Sequence, residues 1–160
     1  MSKVIPDESY TNYCSGEFNT VGGFTTEEAY VVRFTDPKTI FHETGMGYNG
    51  SPFSPDQDFV YSMRYTTSDV NKFVITYEGN LDNLGKDHES PSRLNGSVGD
   101  SQAKFYTPEW CIDGYASIES GEIYKIYADG TEEMVAVYDP EAQGAIPGQK
   151  GRFVIISEID

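Results

Sequence analysis

The chain has 160 residues, with 26 acidic and 11 basic side chains and a formal net charge of −15. This length fits one domain with one core, so residues 1–160 are expected to form a single domain. The charge disfavours duplex nucleic acid and anionic membranes as partners, because both are bound through basic surfaces. Aromatic residues make up 14% of the chain; a disordered acidic chain is poor in them, so a folded core is expected.

The beginning of the chain carries no apolar stretch of signal-peptide length, and no run of 18 apolar residues occurs further along. A cytoplasmic location and no membrane span are therefore expected. Residues 1–27 are polar and contain Pro6, Gly22 and Gly23, which predicts a partly extended segment with at most one short strand near Tyr13–Phe18.

Next along the chain, Glu28–Phe34 is rich in β-branched and aromatic residues, which predicts a strand that ends at the turn signal Asp36–Pro37. Thr39–Thr44 fits either a short strand or one helical turn. Gly45–Asp58 is a Gly/Pro-rich loop, longer than most connections in compact domains, and loops of this length are often functional.

The clearest strand pattern in the chain is Asp58–Thr66, in which large apolar residues alternate with smaller or polar ones. This period of two predicts a strand with one buried face. Val70–Glu78 repeats the pattern after a polar break, so the two segments are predicted to form a hairpin. The residues expected on the buried face are Phe59, Tyr61, Met63, Tyr65, Phe73, Ile75 and Tyr77.

The C-terminal part is predicted to be a meander that follows a second long polar loop, Gly79–Ser101. Asp129–Gly130 is a tight-turn signal, and Asp139–Pro140 is expected to end a strand. Its predicted strands are Ala103–Tyr106, Ile112–Glu119, Glu122–Ala128, Glu132–Tyr138 and Gly151–Glu158.

Eight or nine strands and no amphipathic helix of ten residues predict an all-β fold. An antiparallel β-barrel of lipocalin-like or cyclase-like type is favoured, because closure removes exposed strand edges and the interior accepts the Tyr-rich faces. A jelly-roll sandwich is the alternative.

No motif in the chain identifies a reaction. Gly45–Gly50 matches the G-x-G-x-x-G pattern, but Pro52 and Pro55 follow it and no helical pattern opens there, so it lacks the setting of a dinucleotide site. Two cysteines are too few and too far apart for a zinc site. The two histidines with neighbouring carboxylates could form a metal site or an acid/base pair, but structural or solvated roles are favoured. No cofactor and no metal is expected.

The candidate site residues are chosen by residue type and by strand phase. Phenols, a histidine and a carboxyl in an apolar setting can donate or accept protons, while apolar and cationic side chains can bind a ligand. Each also has a structural interpretation, such as an ordinary β core for the tyrosines. The catalytic candidates are His42, Tyr61, Tyr65, Tyr77 and Glu109, and the ligand-binding candidates are Arg33, Phe59, Met63, Phe73 and Trp110.

Two functional hypotheses follow. In the first, a Tyr/Phe-lined cavity binds a hydrophobic small molecule and promotes a cofactor-free isomerisation, cyclisation or lyase reaction by holding a reactive conformer. In the second, the protein is an acidic inhibitor or immunity-type protein that binds a basic protein partner. The segment Glu109–Glu141 supports the second, because it holds nine acidic residues and Lys125 as its one basic residue.

Overall fold

A computed structural model describes residues 1–77, 80–84 and 97–159, with the backbone alone described at 76–77 and 80–84. Strands dominate, and the helices are short. In chain order the elements are β1 (Ser2–Ile5), α1 (Asp7–Ser15), β2 (Thr20–Thr26), α2 (Glu28–Val31), α3 (Pro37–Glu43), β3 (Phe59–Thr66), a 3₁₀ turn (Val70–Lys72), β4 (Phe73–Val74), β5 (Thr76–Tyr77), β6 (Asn80–Leu84), β7 (Ser97–Val98), β8 (Thr107–Ser117), β9 (Ser120–Tyr127), β10 (Glu132–Gln143), β11 (Lys150–Ile155) and a 3₁₀ turn (Ile156–Glu158).

The main sheet has nine strands, all paired antiparallel, so the all-β prediction is confirmed. Its order is β11-β10-β9-β3-β1-β2-β8-β4, with β7 also paired to β8, while β5 and β6 form a separate ribbon. Within the described residues the sheet does not close on itself, so the prediction of a barrel is wrong. Helix α1 covers one face of the sheet and packs on β11. No helix of the described part is long and apolar enough to cross a membrane.

The larger core lies on the face of the sheet that α1 covers. Residues 59, 61, 63 and 65 of β3 point to this side, as their alternation predicted, and Met63 is fully buried. Tyr10 of α1 stacks on Tyr61 with ring centroids 4.1 Å apart, and Tyr13 packs edge-on against Phe153 of β11. The Tyr-rich face is therefore packed core.

A smaller cluster lies on the opposite face and holds α2 and α3 against the sheet. It consists of Phe34, Ile40, Val60 and Ile126, with Val4 and Val31 packed at its margin. Two-sided coverage of this kind buries both faces of β3, and this accounts for the burial of Val60 and Ser62 on the face opposite Tyr61.

The prediction for residues 1–27 is wrong, because this segment contributes β1, α1 and β2. The helix signals are present in the sequence: Pro6 precedes the acidic first turn of α1, and Gly16 ends the helix at φ 83°. Adding a Cβ at Gly16 would place it 2.7 Å from the Gly144 Cα atom, so the helix end approaches the β10–β11 connection closely. Strand β2 runs through Gly22 and Gly23, which had indicated a loop.

The strand predicted over Glu28–Phe34 is also wrong, because its first residues form α2. Val31 and Phe34, three residues apart, face the smaller cluster, so a helical period prevails over strand propensity here. Thr39–Thr44 falls largely within α3, which is longer than one turn. Asp36 caps α3 by accepting a hydrogen bond from the Thr39 amide at 2.9 Å, and Pro37 occupies its first turn.

Strand pairing differs from the predicted hairpin of Asp58–Thr66 with Val70–Glu78. Strand β3 pairs with β1 and β9, whereas β4 pairs with β8. Residues 103–106 form no strand. Strand β10 does not end at Asp139–Pro140 but continues to Gln143, with a register shift in its pairing with β11. Pro140 is tolerated there because it lies beyond the last residue pair of β10 with β9. The Asp129–Gly130 turn is confirmed, with Gly130 at φ 85°.

Candidate functional site

A half-enclosed cavity of about 550 Å³ lies between the sheet and the segment that follows α3. Its floor is the face opposite the Tyr-rich core, and its roof is formed by α3 and by the loop Gly45–Asp58. The predicted long loop therefore forms part of the roof of this cavity. Most of the lining is apolar; it includes Val4, Phe24, Val31, Ile40, Met46, Phe53 and Ile126.

The floor of the cavity contains a gap in which β1 and β2 separate. Among the described residues these two strands pair only at Ser2 and Thr26. Strand β2 has a register shift between Gly22 and Gly23, and Gly23 has φ 72°, a conformation that bends a bulged strand away from its neighbour. The hydroxyls of Thr25 and Thr26 both donate to the Ser2 carbonyl oxygen, at 2.9 and 3.2 Å, and fasten the strands at the point of divergence.

Lys3 occupies this gap. The backbone of Lys3 is opposite Met63 in the β1–β3 ladder, and its Nζ atom crosses the gap to donate to the Phe24 carbonyl oxygen at 2.6 Å. The side chain also lines the cavity. Burial lowers the pKa of Lys3 because the ammonium loses hydration, and electrostatic interactions with Glu109 and Cys111 oppose that shift.

Glu109 lies on the wall contributed by β8. It is opposite Thr26 in the β2–β8 ladder, so both side chains are on the cavity face. Burial raises the pKa of Glu109 to about 7, and Lys3 acts in the opposite direction. Within the described part of the chain its carboxylate accepts no hydrogen bond and forms no direct ion pair. A carboxyl that titrates near neutral pH can both donate and accept a proton.

Arg64 is the second cation at the cavity. Its side chain is 12% exposed, and its guanidinium pairs with Glu132 and lies 4.1 Å from the ring centroid of Tyr124. Among the described residues, the buried Nε atom of Arg64 has no hydrogen-bond partner. Ser62, two residues earlier on β3, is within 3.3 Å of the Ser2 hydroxyl. The floor thus presents polar groups only near the gap and along β3.

The roof is fastened to residues 100–105 by two side chains of α3. His42 Nδ1 lies 2.6 Å from Asp100 Oδ2. Burial alone would raise the pKa of Asp100, but the hydrogen bonds from His42 and from the Gln102 amide bring it below its ordinary value. The buried Glu43 carboxylate accepts the amides of Lys104 and Phe105 at 2.7 and 3.0 Å.

Of the nine sequence-predicted site residues whose side chains the structure describes, Glu109 is the one that lines this cavity. His42 supports its roof, and Tyr61, Met63 and Phe59 belong to the core or its margin on the other face. Arg33 is exposed, donates to the Tyr106 carbonyl oxygen and lies 4.6 Å from the ring centroid of Phe105. The structure therefore does not bring these candidates together.

A second, more open cavity of about 430 Å³ brings together three of the remaining candidates, Tyr65, Phe73 and Trp110, beside Met1 and Glu27. Tyr65 is buried, and its hydroxyl already donates to Thr25 Oγ1. The side chain of Tyr77 lies outside the described residues. We regard the larger cavity as the candidate site, because it combines an apolar lining with Lys3 and Glu109.

Sequence reasoning missed Lys3 and the cavity-facing role of Arg64. The sequence contained one indication for Arg64. It lies between the core residues Met63 and Tyr65, on the same face of the strand as the apolar Val60, and an apolar residue on the second face is expected when a strand is buried on both faces. Lys3 gave no such signal, because its position follows from the separation of β1 and β2.

Among the described residues, no three His, Cys, Asp or Glu side chains come together in a way that could hold a metal ion. No family model, curated protein or solved structure matches the chain.

Proposed function

We propose that this protein binds a mainly apolar small molecule with a polar oxygen-containing end in the cavity between the sheet and α3. The observation that carries the proposal is the lining itself: apolar side chains cover most of a space of about 550 Å³, and Lys3 and Glu109 lie at one place in its wall. Ligand sites are typically cavities of a few hundred cubic ångströms with a small number of placed polar groups.

The ligand orientation follows from this distribution. Its apolar part lies against Phe24, Ile40 and Ile126, where burial is favourable by about 25 cal/mol per Å² of apolar surface. Its polar end lies at the gap between β1 and β2, where Lys3 donates and the Glu109 carboxyl donates or accepts. A ligand without a polar end would leave the Glu109 carboxyl without a partner in an apolar setting.

Cofactor-free catalysis is the further part of this proposal. An isomerisation or related lyase reaction requires a group that removes a proton from carbon or oxygen and returns it elsewhere. Glu109 supports this role because its pKa of about 7 keeps both protonation states populated at neutral pH. The phenols of the Tyr-rich face are not suited to it, since they pack in the opposite core.

Straight-chain alkan-1-ols from hexanol to decanol test the binding proposal by calorimetry or ligand-observed NMR. We expect saturable binding with a stoichiometry of one, and an affinity that increases roughly fourfold per added methylene, corresponding to about 0.8 kcal/mol for each buried CH₂ group. The increase ends when the chain fills the cavity. Absence of saturable binding over the whole series would overturn the proposal.

A matched pair of variants locates the bound alcohol. Val4→Trp fills the floor of the cavity, and Val32→Trp places the same side chain at a position that is 44% exposed and outside the lining. We expect Val4→Trp to abolish binding and Val32→Trp to retain it, with folding of both verified by circular dichroism. Equal binding by both variants would place the ligand elsewhere.

An acidic protein-binding surface is the second candidate function, and exposed carboxylates on β10 and its flanking turns favour it. Asp129, Glu133 and Asp139 are exposed there, and Glu141 is exposed beside Lys150. A basic partner would be attracted to this surface, and such association weakens strongly as salt concentration increases. Capture of a basic protein that survives Val4→Trp but fails at high salt would support this function over the first.

A further inference from the structure

The amine of Lys3 is placed differently from an ordinary surface lysine. Its Nζ atom is held between two strands by the Phe24 carbonyl oxygen at 2.6 Å, and the side chain lines an apolar cavity. This is the one hydrogen bond of the nitrogen among the described residues, so the nitrogen retains further valences. The only carboxyl that lines the same cavity within the described residues is Glu109, on the neighbouring wall.

We propose that Lys3 condenses with the carbonyl carbon of an aldehyde or ketone ligand in this cavity to form a Schiff base, with Glu109 as the group that transfers the protons. The inference rests on the proposed function, because it specifies the polar end of the apolar ligand as a carbonyl group. It makes Lys3 a catalytic residue and gives Glu109 a defined partner.

The reaction balances without a cofactor. The lone pair of the neutral Lys3 amine attacks the carbonyl carbon and forms a C–N bond, while the carbonyl oxygen takes a proton from Glu109. The nitrogen returns one proton to the Glu109 carboxylate, and Glu109 then donates it to the hydroxyl of the carbinolamine, which leaves as water and gives the protonated imine. The imine then accepts electron density from the adjacent carbon, so that this carbon can lose a proton, and the Glu109 carboxylate accepts that proton.

The electrostatic surroundings are consistent with this chemistry. Burial lowers the pKa of Lys3, which increases the neutral amine that attacks. Burial also raises the pKa of Glu109 to about 7, which retains a proton for donation. Each of the two residues opposes the pKa shift of the other by favouring its charged form, and Cys111 also opposes the shift of Lys3.

Octanal with sodium cyanoborohydride tests the inference, because the hydride converts an imine into a stable secondary amine. We expect a single adduct by intact mass, located at Lys3 by peptide mapping, at a rate far above that of the exposed Lys38 and Lys104. Lys3→Arg is expected to retain the cationic side chain and to lose this adduct. Glu109→Gln is expected to slow adduct formation at Lys3 about a hundredfold, in the range typical of general acid–base catalysis.

Octan-1-ol provides the comparison that separates this inference from the binding proposal, because it has the same chain and no carbonyl carbon. If octan-1-ol binds but octanal labels Lys3 no faster than Lys38, the covalent inference is overturned and the binding proposal remains. If neither molecule binds, the binding proposal fails first. Labelling of Lys3 that Val4→Trp leaves unchanged would also overturn the inference, since the reaction would not depend on the cavity.

Discussion

Tyr65 donates a hydrogen bond from its phenolic hydroxyl to Thr25 Oγ1 at 2.9 Å, and so connects β3 to β2 across the intervening β1. Thr25 Oγ1 in turn donates to the Ser2 carbonyl oxygen at 2.9 Å. The two hydrogen bonds form a buried chain over three strands at the point where β1 and β2 separate. The opening that admits Lys3 is thus bounded by a fixed structure.

Replacing Tyr65 with Phe removes the donor at the start of this chain. We expect the free energy of unfolding to decrease by about 1 kcal/mol, the usual net value of a buried hydrogen bond, because Thr25 Oγ1 loses its donor while its own bond to Ser2 remains. Urea unfolding measures the change. Tyr115→Phe is the matched control, since Tyr115 is 68% exposed, and a loss of equal size in both variants would contradict the assignment.

The pH dependence of stability tests the environment of Glu109. Its pKa in the folded protein, about 7, is above the ordinary value of 4.5, so the folded state binds the proton more tightly than the unfolded state. The stabilisation is therefore fully present below pH 4.5 and is lost as the pH rises through 7. One pKa unit corresponds to 1.36 kcal/mol, so the loss between these limits is at most about 3 kcal/mol.

We expect Glu109→Gln to remove this loss, so that the variant gains stability relative to the unchanged protein as the pH rises from 5 to 8. Lys3 contributes in the opposite direction, because burial lowers its pKa from 10.5 and the unfolded state then binds this proton more tightly than the folded state. Unfolding by urea at a series of pH values measures the difference. Asp113→Asn, at an exposed position on the same strand, is the control; a pH profile for Glu109→Gln that parallels it would count against the assignment.

The sequence correctly predicted those parts of the fold that depend on the pattern of residues within one short segment. The alternation in Asp58–Thr66 identified β3 and its buried face, and the Asp129–Gly130 signal located the β9–β10 turn. Pairing depends on distant segments, so the same pattern could not show that β3 pairs with β1 and β9. Propensity also misled at Glu28–Phe34, where packing on the smaller cluster favours a helix.

The site was harder to predict because it lies on the other face of the strand from the one the alternation emphasised. A strand buried on both faces has two sets of buried residues. In the sequence, Ser62 and Arg64 look like the residues of a solvent-exposed face, whereas in the structure this face lines the cavity. Lys3 enters the cavity through a break in pairing that Gly23 permits. Glu109 was selected from the sequence as a carboxyl in an apolar setting, whereas Lys3 was not selected.

The buried Glu43 carboxylate offers a test of how the cavity roof is held. Glu43 is 3% exposed and accepts two backbone amides, from Lys104 and Phe105. Glu43→Gln replaces one acceptor oxygen with an amide donor, and bonds to a charged acceptor are worth about 2 kcal/mol. We expect hydrogen exchange at these two amides to accelerate about thirtyfold, and octan-1-ol to bind more weakly because α3 carries the roof. Exposed Glu17→Gln should change neither measurement, and unaltered exchange at both amides would show that other contacts hold the roof.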